Sequence, residues 1–326
     1  MRFQTTIKAA GLGLVLGALA AGPALAQVEL KLGHGHSTSH SFHQALERFA
    51  ELLEEKAPGE FDVSIFPSAQ LGSERVMQEA LTLGTLEGTV TGVLAIYEPK
   101  MALLELPFLF RDRDHILAAH ESEAVAELVS SLPPMGLRLI GFLENGFRHI
   151  TSNAGPIETP EDVAGMTIRT PENMAQIETF RALGANPTPM AFSELYAALR
   201  QGVVDGQENP LQNIYDANFY EVQEHLSLTG HIYNSAYLVV SESWWQGLDD
   251  GQRRIVQEAA DEATLWQFEH IAALDDELLE RLVEAGMTVT EPDRDAFREA
   301  TAPAYEAFYG QFGDDARAFV EAMGAL

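Results

Sequence analysis

The chain contains no cysteine among its 326 residues. Disulfide staples and thiolate chemistry are therefore excluded, and a chain of this length buries enough surface to fold without cross-links. Cations are scarce: 20 Lys and Arg stand against 49 Asp and Glu, for a formal charge of −29. Such an acidic surface argues against nucleic acid and anionic membrane as partners. It also repels anionic ligands at long range, unless salt screens the field within about 10 Å. Any anion site must be local and cationic, so the position of each arginine is informative; the excess of acid suits a salt-adapted organism. After residue 26 no stretch approaches the roughly 20 apolar residues that a membrane span requires. Internal repeats and low-complexity tracts are missing, as are a nucleophile elbow, a phosphate loop and a nucleotide fingerprint. No cofactor is expected.

The first 26 residues read as a secretory signal. Arg2 and Lys8 precede an apolar run, Ala9–Leu25, and Ala24-Leu25-Ala26 offers the small residues a signal peptidase reads. Removing this leader takes two cations and no acid, so the mature chain is more acidic still. No cysteine at the cleavage point can carry a lipid, and an unanchored exported protein is expected in the periplasm.

Elements then follow in a regular order. Val28–Leu32 is a strand, and Phe42, Ala45, Leu46, Phe49, Leu52 and Leu53 mark a helix by their spacing. Phe61–Phe66 is a strand, Ser73 caps a helix through Leu81, and Gly88–Leu94 is a strand of small residues. This β-α-β-α-β pattern implies a parallel sheet with right-handed crossovers. Leu103–Phe110 is the most apolar short run after the leader. His115–Leu132 reads as one helix, Leu137–Leu143 as a strand, Thr159–Asp162 as a helix start, Met166–Arg169 as a strand and Glu172–Leu183 as a helix. Leu211–Glu224 is helical and His231–Val240 a long strand. From Gln252 to Ala285 the helical pattern is almost unbroken, roughly 50 Å, long enough to lie across two domains. Asp293–Leu326 reads as helices packed on the outside, and Trp244-Trp245 as packing at the base of the long helix.

Met190–Pro210 is the stretch on which the functional reading turns. Ser193 reads as a helix cap just after Phe192, and Leu195, Ala198 and Leu199 form an apolar stripe. Gly202 closes the helix, Val203-Val204 reads as a short buried strand, and Asp205-Gly206 as a turn into polar Gln207-Glu208-Asn209. Polar side chains at a strand end suit a ligand crevice in an open α/β sheet. Arg148 and Arg169 are read as the ends of two successive strands. A guanidinium holds a carboxylate through two parallel hydrogen bonds, so both are candidate carboxylate ligands. His34-Gly35-His36 after the first strand superficially matches paired metal ligands of barrel hydrolases, but the eightfold repeat those enzymes need is missing. Glu74 and Glu208 could pair as acid and base, although spacing alone does not establish it. Tyr233 and Tyr237 fall on one side of the long strand and are further candidates for ligand contact.

Taken with LGSERVMQEALTLGTL, LPFLF, NGFRHITSN, GMTIRTPEN, VDGQENP and FYEVQEHLSLTGHIYNSAYLV, this stretch resembles one family throughout the mature chain. That family is the extracytoplasmic substrate-binding subunit of tripartite ATP-independent periplasmic (TRAP) transporters, the DctP family, with a layout similar to the sialic-acid-binding member. The resemblance implies an α/β fold of two domains joined by a hinge, with a long helix spanning both. The expected limits are residues 27–146 plus 235–273 for the first domain and 147–234 plus 274–326 for the second. It also implies that Arg169 is the principal carboxylate clamp and Arg148 a second cationic ligand. Asn209 would fix the clamp, Phe192 would form an aromatic wall, and Glu74 would supply a polar contact from the first domain. His34 and His36 would form a ligand loop, and Asn173 would touch the ligand. Gly35 and Thr91-Gly92 stand where the sialic-acid binder presents asparagine and glutamate, which argues for a different cargo. A sugar acid such as a uronate or aldonate is favoured, with a four-carbon dicarboxylate or a keto or hydroxy acid as alternatives. The expected partners are the small carboxylate and the two TRAP membrane subunits, and the expected state is a monomer without enzymatic activity. A periplasmic metal-dependent hydrolase using His34 and His36, or a ligand-binding sensor subunit, are the rival readings.

Overall fold

Three parallel strands open the described part of the chain, which in this computed structural model is residues 27–326; the secretory-signal reading falls on residues 1–26, outside it. Val28–Gly33 (β1) pairs with Phe61–Phe66 (β2) on one side and Gly88–Thr91 (β3) on the other. The helix Ser41–Lys56 links the first two. Its Phe42, Leu46, Phe49 and Leu53 are fully buried against Leu30 and Leu32, as their spacing predicts. Ser73 caps the helix Glu74–Thr82, accepting from the Val76 N–H.

The strands Leu137–Ser152 (β4) and His225–Ser241 (β8) are the two longest and run antiparallel along each other. The sheet order is β2-β1-β3-β8-β4-β7-β5-β6, where β5 is Thr167–Thr170, β6 Asn186–Pro189 and β7 Gly206–Asn209; Thr288–Thr290 (β9) adds to β8. β3 pairs with the C-terminal part of β8, at Tyr237–Val240, whereas β7 pairs with the C-terminal end of β4, at His149–Ser152. Two α/β halves thus share two continuous strands. The β4–β8 register shifts between Leu139 and Gly141, Glu144 and Gly146, and Arg148 and Ile150. Such irregularities bend a ladder and raise its twist.

The long helix is Asp250–Glu284, opened by a reciprocal capping box between Asp249 and Gln252. Val256, Ala259, Ala260 and Ala263 pack with the first half's core, whereas Ile271, Leu278 and Leu282 pack with Leu195, Leu199 and Ile214 of the second. The helix therefore lies across both halves. Trp244 and Trp245 are half-buried against the first half's core. Among the described residues no helix is long and apolar enough to cross a membrane.

Several expectations are corrected. His115–Leu132 is two helices, Arg113–His120 and Glu123–Val129, because Ser122 caps a new start. Thr159–Asp162 opens only a short 3₁₀ turn, Pro160–Val163. The helix Leu211–Asp216 stops well before Glu224. β3 ends at Thr91, and β4 and β8 extend far past their expected limits. The helix after Met190 begins at Phe192 itself, with Ala191 at the cap and no side-chain capping bond from Ser193. Val203 is exposed, and the strand is Gly206–Asn209. Gly206 is needed for close approach rather than for a turn: a Cβ there would lie 2.3 Å from the Thr151 carbonyl oxygen of β4. The last helix, Asp314–Gly324, packs Phe319 and Met323 against the first half's core, where His115 Nε2 donates to the Met323 carbonyl at 2.8 Å.

Candidate functional site

β7 begins where Gly206 presses against β4, and this places Glu208 and Asn209 beside Arg148. Arg148 lies inside β4, not at its end, and is 2% exposed. Its guanidinium grips Glu208: Nη2 donates to Oε1 at 2.8 Å and to the Glu208 carbonyl at 2.6 Å, and Nε donates to Oε2. Nη1 donates to Asn234 Oδ1 at 3.1 Å, and Nη2 also to Asn209 Oδ1 at 3.2 Å. Burial opposes ionisation of Glu208, but Arg148 and His231 outweigh it and hold the carboxyl below its usual range. The Thr229 hydroxyl lies 2.7 Å from His231 Nδ1, which leaves Nε2 to donate to Glu208 at 3.3 Å. Burial keeps this imidazole's pKa low. Both oxygens of Glu208 are thus engaged, and it stands as the structural counter-ion of Arg148.

Arg169 is the contrasting case. It sits on β5, 2% exposed, and its Nε and Nη2 both donate to the Met190 carbonyl at 3.0 and 2.6 Å. Among the described residues no carboxylate pairs with it. Burial, with a smaller contribution from Arg148, lowers its pKa to about 10, and Glu208 and Glu74 oppose that fall. It stays cationic at neutral pH, desolvated and without an ion-pair partner, an arrangement that costs several kcal/mol unless an anion arrives.

Two adjoining cavities of about 20 and 30 Å³ meet at this guanidinium and share Glu74, Val93, Pro171 and Phe192 with it. Asn145, Arg148, Asn209, Asn213 and Asn234 line the second. Larger hollows lie elsewhere, but among the described residues Arg148 and Arg169 are the buried arginines, and both border the second cavity. A space of this size admits one or two waters, so a larger ligand requires the walls to part. Glu74 Oε1 accepts from the Gly92 N–H at 3.2 Å, and burial raises its pKa against the pull of Gly92, Arg169 and Arg148. Phe192 stands against His36, ring centroids 4.8 Å apart, and forms an apolar wall.

The remaining expected residues divide. His36 reaches the cavity. His34 does not: its Nε2 faces His43 Nδ1 at 3.0 Å, and its Nδ1 accepts from the His36 N–H. Burial lowers the His34 pKa to about 3. Among the described residues no three His, Asp or Glu side chains converge to hold a metal ion. Asn173 caps the helix Met174–Ala182 and donates to Glu105 at 2.8 Å, away from the cavity. Tyr233 and Tyr237 are buried in the hydrophobic core with Phe110, Phe142 and Phe147, and neither hydroxyl has a hydrogen-bond partner. The cavity is instead approached by Asn234, between them in sequence. Asn209 bonds to Arg148 and Asn213, not to Arg169. Asn145, Asn213 and Asn234 were not anticipated; lone amides inside strongly buried runs were the available signal.

The family model for bacterial extracellular solute-binding protein, family 7 (DctP), matches residues 32–311. The chain is 35% identical to the 2,3-diketo-L-gulonate-binding periplasmic protein YiaO of Escherichia coli, over 85% of each chain. It is 36% identical to the sialic acid-binding periplasmic protein SiaP of Vibrio cholerae, over 88% of this chain and 90% of that one. A TRAP periplasmic solute-binding protein from Roseobacter denitrificans, solved with bound L-galactonate, superposes with a TM-score of 0.85 at 34% identity, covering 91% of this chain and 99% of that one.

Proposed function

Because the chain belongs to the DctP family of TRAP solute-binding proteins, we propose that it captures a small sugar acid, an aldonate or uronate, in the cavity around Arg169. The observation that carries this reading is the buried Arg169 guanidinium with no carboxylate partner. A ligand carboxylate would supply the missing charge in a water-poor setting, where charge-assisted bonds are strongest. Phe192 would cover the ligand's apolar face. Glu74 would accept from its hydroxyls, and Asn145, Asn213 and Asn234 would offer amides to the rest. Arg148 is already neutralised by Glu208, which leaves the single guanidinium of Arg169 for an incoming charge, so the site favours one carboxylate and many hydroxyls over a dicarboxylate. The L-galactonate bound by the Roseobacter relative and the diketogulonate in the name of the Escherichia coli relative support that class.

We place the hinge where the expected domain limits, 146/147 and 234/235, cross β4 and β8, beside the register shift at Glu144 and Gly146. The last helix then joins the first half. Opening there would admit the ligand, and the ligand would shift the balance back to the closed form. The closed form would deliver its cargo to the two TRAP membrane subunits from the periplasm, where the family works. Calorimetry with galactonate and galacturonate tests the reading. Arg169→Ala should abolish detectable binding, a loss of about 2–5 kcal/mol, while the apo protein melts within a few degrees of the wild type. Unchanged affinity would overturn the assignment.

A further inference from the structure

β4 presents Arg148 to the cleft, and its next residue, His149, lines a separate hollow of about 470 Å³. Successive strand residues point to opposite faces, so this hollow lies behind the hinge strands. Arg111, Arg113 and Arg294 all border it, three of the 20 cations in a chain of charge −29. Three carboxylates, Asp112, Asp114 and Asp275, border it as well, and only Asp275 is in an ion pair among the described residues. Asp112 caps the helix that starts at Arg113, accepting from the His115 N–H at 2.8 Å. Asp275 and Glu144 both hold Arg113. Asp114 is exposed in the first turn of that helix and remains available.

Arg111 and Arg294 have no ion-pair partner among the described residues. Arg294 donates only to the Gly230 carbonyl, at 3.3 Å. The neighbouring Gly230 N–H donates to His149 Nδ1 at 3.1 Å, which puts the neutral ring's proton on Nε2. Burial, with His231, Arg294 and Arg148, keeps this imidazole neutral, its pKa lowered to about 3. Among the described residues the hollow is thus bordered by two guanidiniums that form no ion pair and by one imidazole whose donor nitrogen has no protein acceptor. Arg111 comes from the first half, whereas His149 and Arg294 come from the far ends of the shared strands and the helix beside them.

We propose that this hollow is a second anion site, distinct from the cargo cleft, which takes a small multivalent oxyanion of the phosphate or tricarboxylate type between Arg111 and Arg294. A strongly acidic protein repels such ions in general, so saturable uptake would need a local site of this kind. The test titrates inorganic phosphate, and separately citrate, into the full mature protein at constant ionic strength. It is repeated in Arg169→Ala, which disables the proposed cargo site, and in Arg111→Ala/Arg294→Ala. Both substituted arginines of the double variant are exposed, and circular dichroism confirms the fold. Saturable binding of either ion that persists in Arg169→Ala and weakens at least tenfold in the double variant supports the site. The proposal is overturned if neither ion binds saturably, if binding disappears in Arg169→Ala, or if the double variant binds within tenfold of the wild type. Because cargo binding is not the readout, failure here is separable from failure of the cargo assignment.

Discussion

Arg75 and Glu172 face each other across the mouth of the cleft and are joined by two hydrogen bonds, Nη2 to Oε1 at 2.8 Å and Nε to Oε2 at 3.3 Å. Arg75 rides on the helix Glu74–Thr82 of the first half, and Glu172 precedes the helix Met174–Ala182 of the second. Both border the smaller cavity beside Arg169. Parting of the halves, as proposed above, would break the pair, so it would act as a latch that favours the closed form.

Its contribution is modest because the side chains are 50% and 33% exposed, and exposed pairs contribute about 0.2–1 kcal/mol. Arg75→Ala should weaken cargo binding about twofold to fivefold, mainly through faster release. The effect should shrink at high salt. Stopped-flow release measured at two ionic strengths checks this, and a release rate independent of Arg75 would refute the latch.

Arg148 and Glu208 should behave as a unit. Arg148→Ala leaves a fully buried carboxylate without its counter-ion, and such losses cost about 3–5 kcal/mol. Combining it with Glu208→Gln removes the stranded charge and should recover a large part of that loss. Denaturant unfolding of the two single variants and the double variant closes the cycle. Additive effects would show that the pair is not coupled.

Glu105 gives a pH signature. It is buried at the junction of the halves and accepts from Asn173 Nδ2 at 2.8 Å and Gln176 Nε2 at 2.6 Å. Burial raises its pKa from 4.5 to about 8 against those bonds and Arg148, and Glu208 pushes it further up. The folded state therefore holds a proton that the unfolded state releases between these values. Stability from this group is present below pH 4.5 and is lost as pH rises towards 8, by up to about 1.4 kcal/mol per unit. Glu105→Gln has no proton to lose, and once the Gln176 amide turns over, the new side-chain amide can donate to Gln176 Oε1, which has no partner among the described residues. The variant should gain on the wild type as melts are taken from pH 5 to pH 8. Parallel curves would refute the assignment. The buried histidines, whose lowered values act in the opposite sense, cancel in that difference.

The sequence made the local elements of this protein easier to read than its long-range ones. The helix after β1 was legible because one apolar face repeats along it, and the long helix because neither proline nor glycine interrupts its helix-forming residues from Gln252 to Glu284. The full reach of β4 was not, because Glu144, Asn145 and Gly146 interrupt its apolar pattern where the ladder shifts register. Arg148 was consequently read as a strand end, and its true partner, Glu208, entered only as a possible acid–base partner of Glu74. Tyr233 and Tyr237 share one side of β8 as expected, but which side faces the core depends on the packing of Phe110 and Phe147. A lone glutamate in the most apolar run, Glu105 in LLELPFLF, was a legible oddity whose amide partners lie about seventy positions away. Arg169 stood out in the sequence because cations are so few, and its burial without a carboxylate partner among the described residues came only from the structure.

The two strands that cross the molecule also limit how such a protein can diversify. β3 hangs its half of the sheet on one end of β8, and β7 hangs the other half on one end of β4. Neither half has a complete sheet if the chain is cut between them, so the halves are not interchangeable modules. Grafting one half from a relative would require splicing through the middle of two paired strands at matching bulges. Side chains that line the cavity, such as Glu74, Phe192 and Asn234, can by contrast change one at a time with the backbone that carries them left intact.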